Sequence, residues 1–443
     1  MNYIRILVLC LIGVAMQHSF AQGVFPFKYE KYVLENGFQS IIIPVKGSGL
    51  VSYYSVVRTG SRDEWEEGKS GFAHFFEHMM FRGTDRYPGS VYDSIVTTIG
   101  ADANAYTSDD LTVYHLNLAS EHLSTVMDLE SDRFQFLNYS EQQFQTEAGA
   151  VYGEYRMGRT NPWSVMFEEM QDMAFDKHTY KHTTIGFERD IKNMPNMYEF
   201  SKSFYQRYYR PENVVLVLVG DFDPESVKPM IKQFYGGWKP GYTEPKIDQE
   251  PVQTAARKKE IVYDGKTLPM VMIGYKTDAF DVQNKNFMAT LLLQELAFGE
   301  TSDLYKKLVL QEQKVEFVSA APGINRDPYM FMIYARVKNP VDIDYVIQSI
   351  TETLDHFKSN AVSEKKFEDL KKRNKYSFLM GLDSPDDIAS VLPQWITLTG
   401  GIEVIDQMYT AMDAMTTTDI MNAARHYFVP ERSNTIIMKE KQQ

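Results

Sequence analysis

Phe204-Tyr-Gln-Arg-Tyr-Tyr-Arg-Pro-Glu-Asn213, followed by the apolar run 214–219, organises this chain because it occurs twice. Near the C-terminus the sequence reads Ala424-Arg-His-Tyr-Phe-Val-Pro-Glu-Arg432 and then Asn434-Thr-Ile-Ile-Met438. Both read as a helix ending on an aromatic pair, a Pro-Glu turn and a buried strand. Pro211 and Pro430 are 219 residues apart. Ser140-Glu-Gln-Gln-Phe144 and Ser363-Glu-Lys-Lys-Phe367, 223 apart, each open a long helical pattern on a Ser N-cap, and Gln143 adds a capping box in the first copy. Arg58-Thr59 and Lys276-Thr277, 218 apart, each follow a strand pattern (51–57 and 270–275) and lead into a helix. Three matches at nearly constant offset predict a duplicated unit.

The boundary falls in the Pro-rich polar stretch beginning Lys239-Pro-Gly-Tyr-Thr-Glu-Pro. This gives an N-terminal domain over 22–240, a linker over 241–253 and a C-terminal homologous domain over 254–443. Each domain has about 200 residues. Strand and helix patterns alternate irregularly, so the fold class is α+β, each half a mainly antiparallel sheet packed with helices.

Composition bounds the function. With 443 residues, 44% hydrophobic and 24% charged, the chain is ordinary globular protein, which excludes a disordered chain or a coiled coil. A net charge of −13 argues against nucleic acid and anionic membrane surfaces as partners. After the N-terminus, no aliphatic run is long enough to span a membrane. Residues 1–21 read as a secretory signal: Arg5, an apolar stretch over 6–16, and Ser19-Phe20-Ala21 as a small-x-small cleavage site. The expectation is an exported protein, periplasmic by default. Cys10 is the only cysteine, so no intrachain disulfide is possible.

The chemistry sits at His74-Phe-Phe-Glu-His78. On a helix, positions 74, 77 and 78 share a face. Two imidazoles one turn apart can hold one zinc ion while leaving open positions, and the carboxylate between them is placed to take a proton from water. A third ligand must come from another helix, and the segment 142–155 offers Glu147 and Glu154, two turns apart on one face. One can bind metal while the other orients a ligand, and spacing alone does not say which. Ala148, Gly149, Ala150 and Gly153 between them would let another backbone approach closely. The stretch carrying the histidines is expected to end its helix on Gly83.

His74-x-x-Glu77-His78 with Glu154 76 residues later resembles the pitrilysin/insulinase family of inverted zinc metallopeptidases, which includes the mitochondrial processing peptidases. Gly71-Phe-Ala-His74 and Phe81-Arg-Gly-Thr84 flank the motif as in that family, and the likeness covers essentially the whole mature chain. It implies His74, His78 and Glu154 as zinc ligands, Glu77 as general base and Glu147 as a supporting catalytic residue. It also implies that Asn104, Ala105, Tyr106 and Thr107 form the strand on which a peptide substrate is laid as an added strand. At the offsets of the repeat, His74 falls on Leu292, Glu77 on Glu295, His78 on Leu296, Glu147 on Leu370 and Glu154 on Ser377. The second copy has therefore lost every ligand.

One element of the family is missing. An Arg and a Tyr seven residues apart, which stabilise the developing oxyanion in relatives, are here Val309 and Glu316 or Phe317. Arg326 and Tyr334 are the downstream candidates to replace them. The gap implies a partner: a homologous zinc-less subunit in a heterodimer, or a second copy in a homodimer. A non-catalytic assembly subunit and a zinc-containing peptide-binding protein are the alternatives. Three visible ligands and a cysteine-free mature chain favour an open catalytic site over a structural one. His178 and His182 read as a polar loop without a metal role, and His115 and His122 as structural or exposed.

Overall fold

The structure, a computed structural model, describes residues 23–441, so the export signal proposed for residues 1–21 lies outside the described residues. The first half contains β1 (Glu30–Val33), β2 (Gln39–Pro44), β3 (Leu50–Val57), β4 (Asp102–Thr107), β5 (Thr112–Ala119) and β6 (Val214–Gly220). They form one sheet in the order β1-β2-β6-β3-β5-β4. The second half contains β7 (Arg257–Tyr263), β8 (Met270–Lys276), β9 (Val315–Pro322), β10 (Met330–Val337) and β11 (Ser433–Glu440), in the order β7-β11-β8-β10-β9. Apart from the extra β1, the two sheets have the same topology. Each has one parallel pair, β2 with β6 and β7 with β11, and is otherwise antiparallel.

The repeated sequence occupies equivalent places. Pro211–Asn213 and Pro430–Arg432 are single 3-10 turns that deliver the chain into β6 and β11. Ser140 caps the helix Glu141–Gly158: its hydroxyl accepts from the Gln143 amide N–H at 3.3 Å, and the Gln143 side chain accepts from the Ser140 N–H at 2.8 Å. Ser363 caps the helix Glu364–Met380 in the same way through its hydroxyl. Residues 239–256 carry no helix or strand.

β6 is buried along its whole length because both faces of its sheet are covered, and such a strand reads as a continuous apolar run. Leu216 and Leu218 pack with Phe72, Phe76 and Phe204 from the first half. Val215, Val217 and Val219 belong instead to a core shared with Ile388, Leu392 and Ile396, contributed by the second-half helices Pro385–Ser390 and Pro393–Thr399 and, for Leu392, the turn between them. The relation is reciprocal: the first-half helix Pro162–Ala174 packs on the second sheet, its Val165, Met166 and Met170 against Met270, Met272, Met330 and Met332. Each half thus covers one face of the other's sheet.

Polar contacts lock this junction. Tyr180 donates to Asp110 at 2.6 Å, and the Arg326 backbone N–H donates to the other oxygen of Asp110 at 3.0 Å. Asp327 receives Arg62 and lies 3.1 Å from His178 Nε2. Tyr54 donates to Asp386 at 2.7 Å. His178 and His182 are accordingly buried structural residues flanking a 3-10 turn, Thr179–Lys181, rather than part of a solvated loop.

Candidate active site

The motif helix, Phe72–Met79, divides its residues by face. Phe72, Phe75, Phe76 and Met79 are fully buried, while His74, Glu77 and His78 on the opposite side are partly exposed. Both helix ends are held. Glu64, itself buried, accepts from the backbone N–H groups of Gly71 and Ala73 at 2.6 Å each, satisfying donors that the first turn leaves open. Tyr114 on β5 donates to the Phe76 carbonyl at 2.9 Å. Gly71 has a φ of +94°, and a Cβ there would stand 2.7 Å from the Ile185 carbonyl oxygen, so only glycine serves. The helix stops at Met79, short of the expected end at Gly83. With a φ of +95°, Gly83 instead forms an isolated bridge with Pro88, in space that a Cβ would share with backbone.

The helix Glu141–Gly158 passes this face. His74 Nε2 and His78 Nε2 are each 3.5 Å from the same carboxylate oxygen of Glu154. Donor atoms of these three residues lie within 4.8 Å of one another, the only such trio of His, Cys, Asp or Glu among the described residues. Two imidazole nitrogens and a carboxylate oxygen converging on one point form a donor set suited to zinc, with room left for water. The geometry also separates the two glutamates. Glu147, 2% exposed, does not reach this point: its Oε1 is 2.9 Å from His78 Nδ1, and Arg82 donates to its Oε2 at 2.5 Å. Glu147 thereby fixes which imidazole nitrogen of His78 faces Glu154. Burial pushes the Glu147 carboxyl up, but the His78 hydrogen bond and the Arg82 charge outweigh it, and its pKa lies below the usual range. The same hydrogen bond raises His78. Burial and the neighbouring His78 push His74 down to about 4, which keeps its imidazole neutral at physiological pH.

Glu77 receives a hydrogen bond from Thr107 at 2.6 Å. Burial raises its pKa, and the Thr107 bond partly offsets that. Thr107 ends β4, an edge strand paired only with β5, so its other backbone edge is unpaired. Ala103 and Ala105 on β4 pack against the core that holds the motif helix, whereas Asn104 and Tyr106 are exposed. His115, opposite Asn104 on β5, stacks on Tyr54 at 4.8 Å. The expected close backbone approach at Gly149 and Gly153 does not occur: a Cβ at either would meet nothing within 4 Å, because that side of the helix faces open space.

A cleft of about 830 Å³ opens beside the site. His74, Glu154, Tyr155 and Phe167 line it from the first half and Tyr329 from the second. The candidate replacements for the missing Arg and Tyr fare differently. Arg326 is committed to the junction, 3.7 Å from Asp63 and paired with Glu244, so it does not take the absent role. The Tyr334 ring packs against Trp163 at 5.9 Å and Phe167 at 5.8 Å. Phe317 packs on Trp163 at 5.7 Å, and Val309 lies in the π-helical segment Lys306–Gln311. The sequence reading did not single out Glu64 or the bond from Arg82 to Glu147. Both act through contacts that have no periodic signature.

The arrangement is a zinc-type donor trio with a carboxylate beside it, in one half of a fold whose two sheets share a topology. Residues 50–187 match the family described as Insulinase (Peptidase family M16), and residues 198–374 match Peptidase M16 inactive domain. The chain belongs to the insulinase, or M16, peptidase family. It is 28% identical to the zinc protease PqqE of Helicobacter pylori, over 98% of this chain and 96% of that one. It is 22% identical to the probable mitochondrial-processing peptidase subunit beta of Arabidopsis thaliana, over 84% of this chain and 71% of that one. The crystal structure of a protease from Helicobacter pylori superimposes with a TM-score of 0.88 at 26% identity, covering 93% of this chain and 99% of that one. The first half of the periplasmic protease PqqL from Escherichia coli, at 19% identity, shares the fold with a TM-score of 0.76, over 93% of this chain and 92% of that one. Among the described residues no single helix is long and apolar enough to cross a membrane.

Proposed function

We propose that the chain is an exported, periplasmic zinc endopeptidase subunit that hydrolyses peptides or unfolded segments. The observation that carries this reading is the convergence of His74, His78 and Glu154 beside Glu77. His74, His78 and Glu154 hold the metal, which when bound supplies Lewis acidity toward water and the substrate carbonyl. Glu77, poised by Thr107, takes the proton from the attacking water and returns it to the leaving amine nitrogen, so hydrolysis consumes one water and leaves Glu77 ionised. Glu147, braced by Arg82, keeps His78 in its ligating tautomer. The unpaired edge of β4, at Asn104, Ala105, Tyr106 and Thr107, takes the substrate backbone as an added strand. Because Arg326 is tied into the junction and Val309 stands where relatives carry the Arg, a homologous partner subunit completes the oxyanion side.

The test is cleavage of a mixed peptide library by the zinc-loaded mature chain, alone and with co-purifying homologues, using Glu77→Gln as control. Cleavage abolished by that substitution, with zinc retained, supports the peptidase reading. Activity that appears only with a homologue supports the partner, whereas ordinary rates from the chain alone overturn it. No cleavage in any combination overturns the peptidase reading.

A further inference from the structure

The cleft beside His74 and Glu154 has one wall that the proposed hydrolysis does not use. Met157, three residues after Glu154 on the same helix, lines it and is 68% exposed. Phe167, on the helix Pro162–Ala174, also lines it and is 36% exposed. From Phe167 an aromatic strip continues out of the cleft. The Phe167 ring is 5.8 Å from Tyr334, Tyr334 is 5.9 Å from Trp163, and Trp163 is 5.7 Å from Phe317. Each of these rings keeps part of its surface exposed. Trp163 and Phe167 come from the first half, Phe317 and Tyr334 from β9 and β10 of the second.

The fold does not require this strip to be apolar throughout. Met157, Phe167 and Phe317 belong to none of the three apolar cores among the described residues. Single exposed apolar side chains are ordinary, but a contiguous set opening from a cleft between two halves marks a binding surface. The carboxylates of the same cleft are already engaged. Glu154 faces the two imidazoles, Glu168 holds Arg159 at 2.7 Å and accepts from Tyr155 at 3.1 Å, and Asp109 accepts from Ser61 at 3.2 Å. What this wall still offers is ring edges and faces, which suit another ring.

We propose that the strip is a specificity subsite that takes an aromatic side chain of the peptide substrate, two or more residues from the scissile bond. This rests on the peptidase reading above and adds the class of peptide. Trp163 lies one helical turn beyond Phe167, about 6 Å along the axis, and is outside the cleft lining. An extended peptide advances about 3.3 Å per residue, so a side chain lying against Trp163 and Tyr334 belongs to a residue beyond those that flank the cut.

The test is anisotropy titration of labelled nine-residue Ala/Ser peptides, each with one Phe, Lys or Ser at a scanned position, against the zinc-loaded mature chain carrying Glu77→Gln. At the best position the Phe peptide should bind about tenfold or more tighter than its Ser or Lys counterpart. Phe167→Ser with Phe317→Ser should bring that ratio toward unity at unchanged zinc stoichiometry and melting temperature. Both side chains lie outside the cores, so the pair should fold. Met157→Gln, at a more exposed side chain, is the second variant and should lower the same ratio. Equal binding of the three peptides, tighter binding of the Lys peptide, or a ratio that neither variant changes would each overturn the proposal. In peptides that the unsubstituted chain cuts, alone or with a homologous subunit, Phe should stand two or more residues from the cut, and Phe directly beside it would overturn the placement. A Phe preference in binding without cleavage in any combination supports the subsite and overturns the peptidase reading, whereas cleavage without a Phe preference does the reverse.

Discussion

The protonation of Glu77 is set by two opposing neighbours, burial against the core and the Thr107 hydroxyl. The net shift is upward in the metal-free chain, and kcat/KM should show an acid limb where Glu77 must be ionised to act as base. Thr107→Val removes the contact that favours the ionised form, so the limb should move to higher pH, and a pH–rate profile of the two proteins reads this directly. A limb that stays put or moves down would dissociate Thr107 from the base. Arg82 and Glu147 act one step from the donor trio. Glu147→Gln or Arg82→Met should weaken zinc affinity by about 10–100-fold, measured by competition with a chelator. At this scale the sequence was readable wherever residues lie a helical turn or two apart, as His74, Glu77 and His78 do. It left open which of Glu147 and Glu154 meets the imidazoles, because that depends on how two helices cross. Glu64 left no trace either, since a carboxylate capping a helix seven positions downstream obeys no period.

The motif helix is a short element whose position depends on its ends and its apolar face. Phe76 is fully buried, stacked at 5.3 Å on Phe204 and 5.6 Å from Tyr209. Phe76→Ala should cost about 3–5 kcal/mol of stability, read by denaturant unfolding. Gly71→Ala combines a positive φ with a collision against the Ile185 carbonyl. It should lower stability by about 1–3 kcal/mol and reduce zinc affinity with it, because the helix start must shift. The caps at Ser140 and Ser363 and the Pro turns before β6 and β11 were legible as local grammar. The stop at Met79 was not. Gly83 carries the positive φ expected of a helix end but spends it on a turn that meets Pro88. Gly149 and Gly153 of the helix Glu141–Gly158 likewise admit nothing, whereas Ala148 packs in the core: smallness permits a close approach but does not supply a neighbour.

At the scale of the whole molecule, the duplication was readable from three matches in sequence, but the exchange of covering helices between halves was not, because apolar runs do not say which half supplies their partner. That exchange makes the junction part of the fold. Asp327 is a polar pin of the junction. The hydrogen bond to His178 and the charge of Arg62 hold its carboxyl well below the usual range despite burial. A depressed carboxylate contributes stability above its unfolded pKa and loses that contribution as pH falls toward the folded value. Asp327→Asn should therefore lower stability by about 1.5–3 kcal/mol at neutral pH, and the deficit should shrink in acid, below about pH 3.9; unfolding curves across pH check it. The duplication also states where metal belongs. In the second copy Leu292, Leu296 and Ser377 stand at the ligand positions, and Glu295 is paired with Arg373 at 3.1 Å. The most direct measurement is an anomalous-scattering map at the zinc edge from crystals grown with excess zinc. The account predicts one strong peak per chain, bounded by His74, His78 and Glu154. An absent peak at that point, or a peak of equal strength beside Glu295, would contradict it.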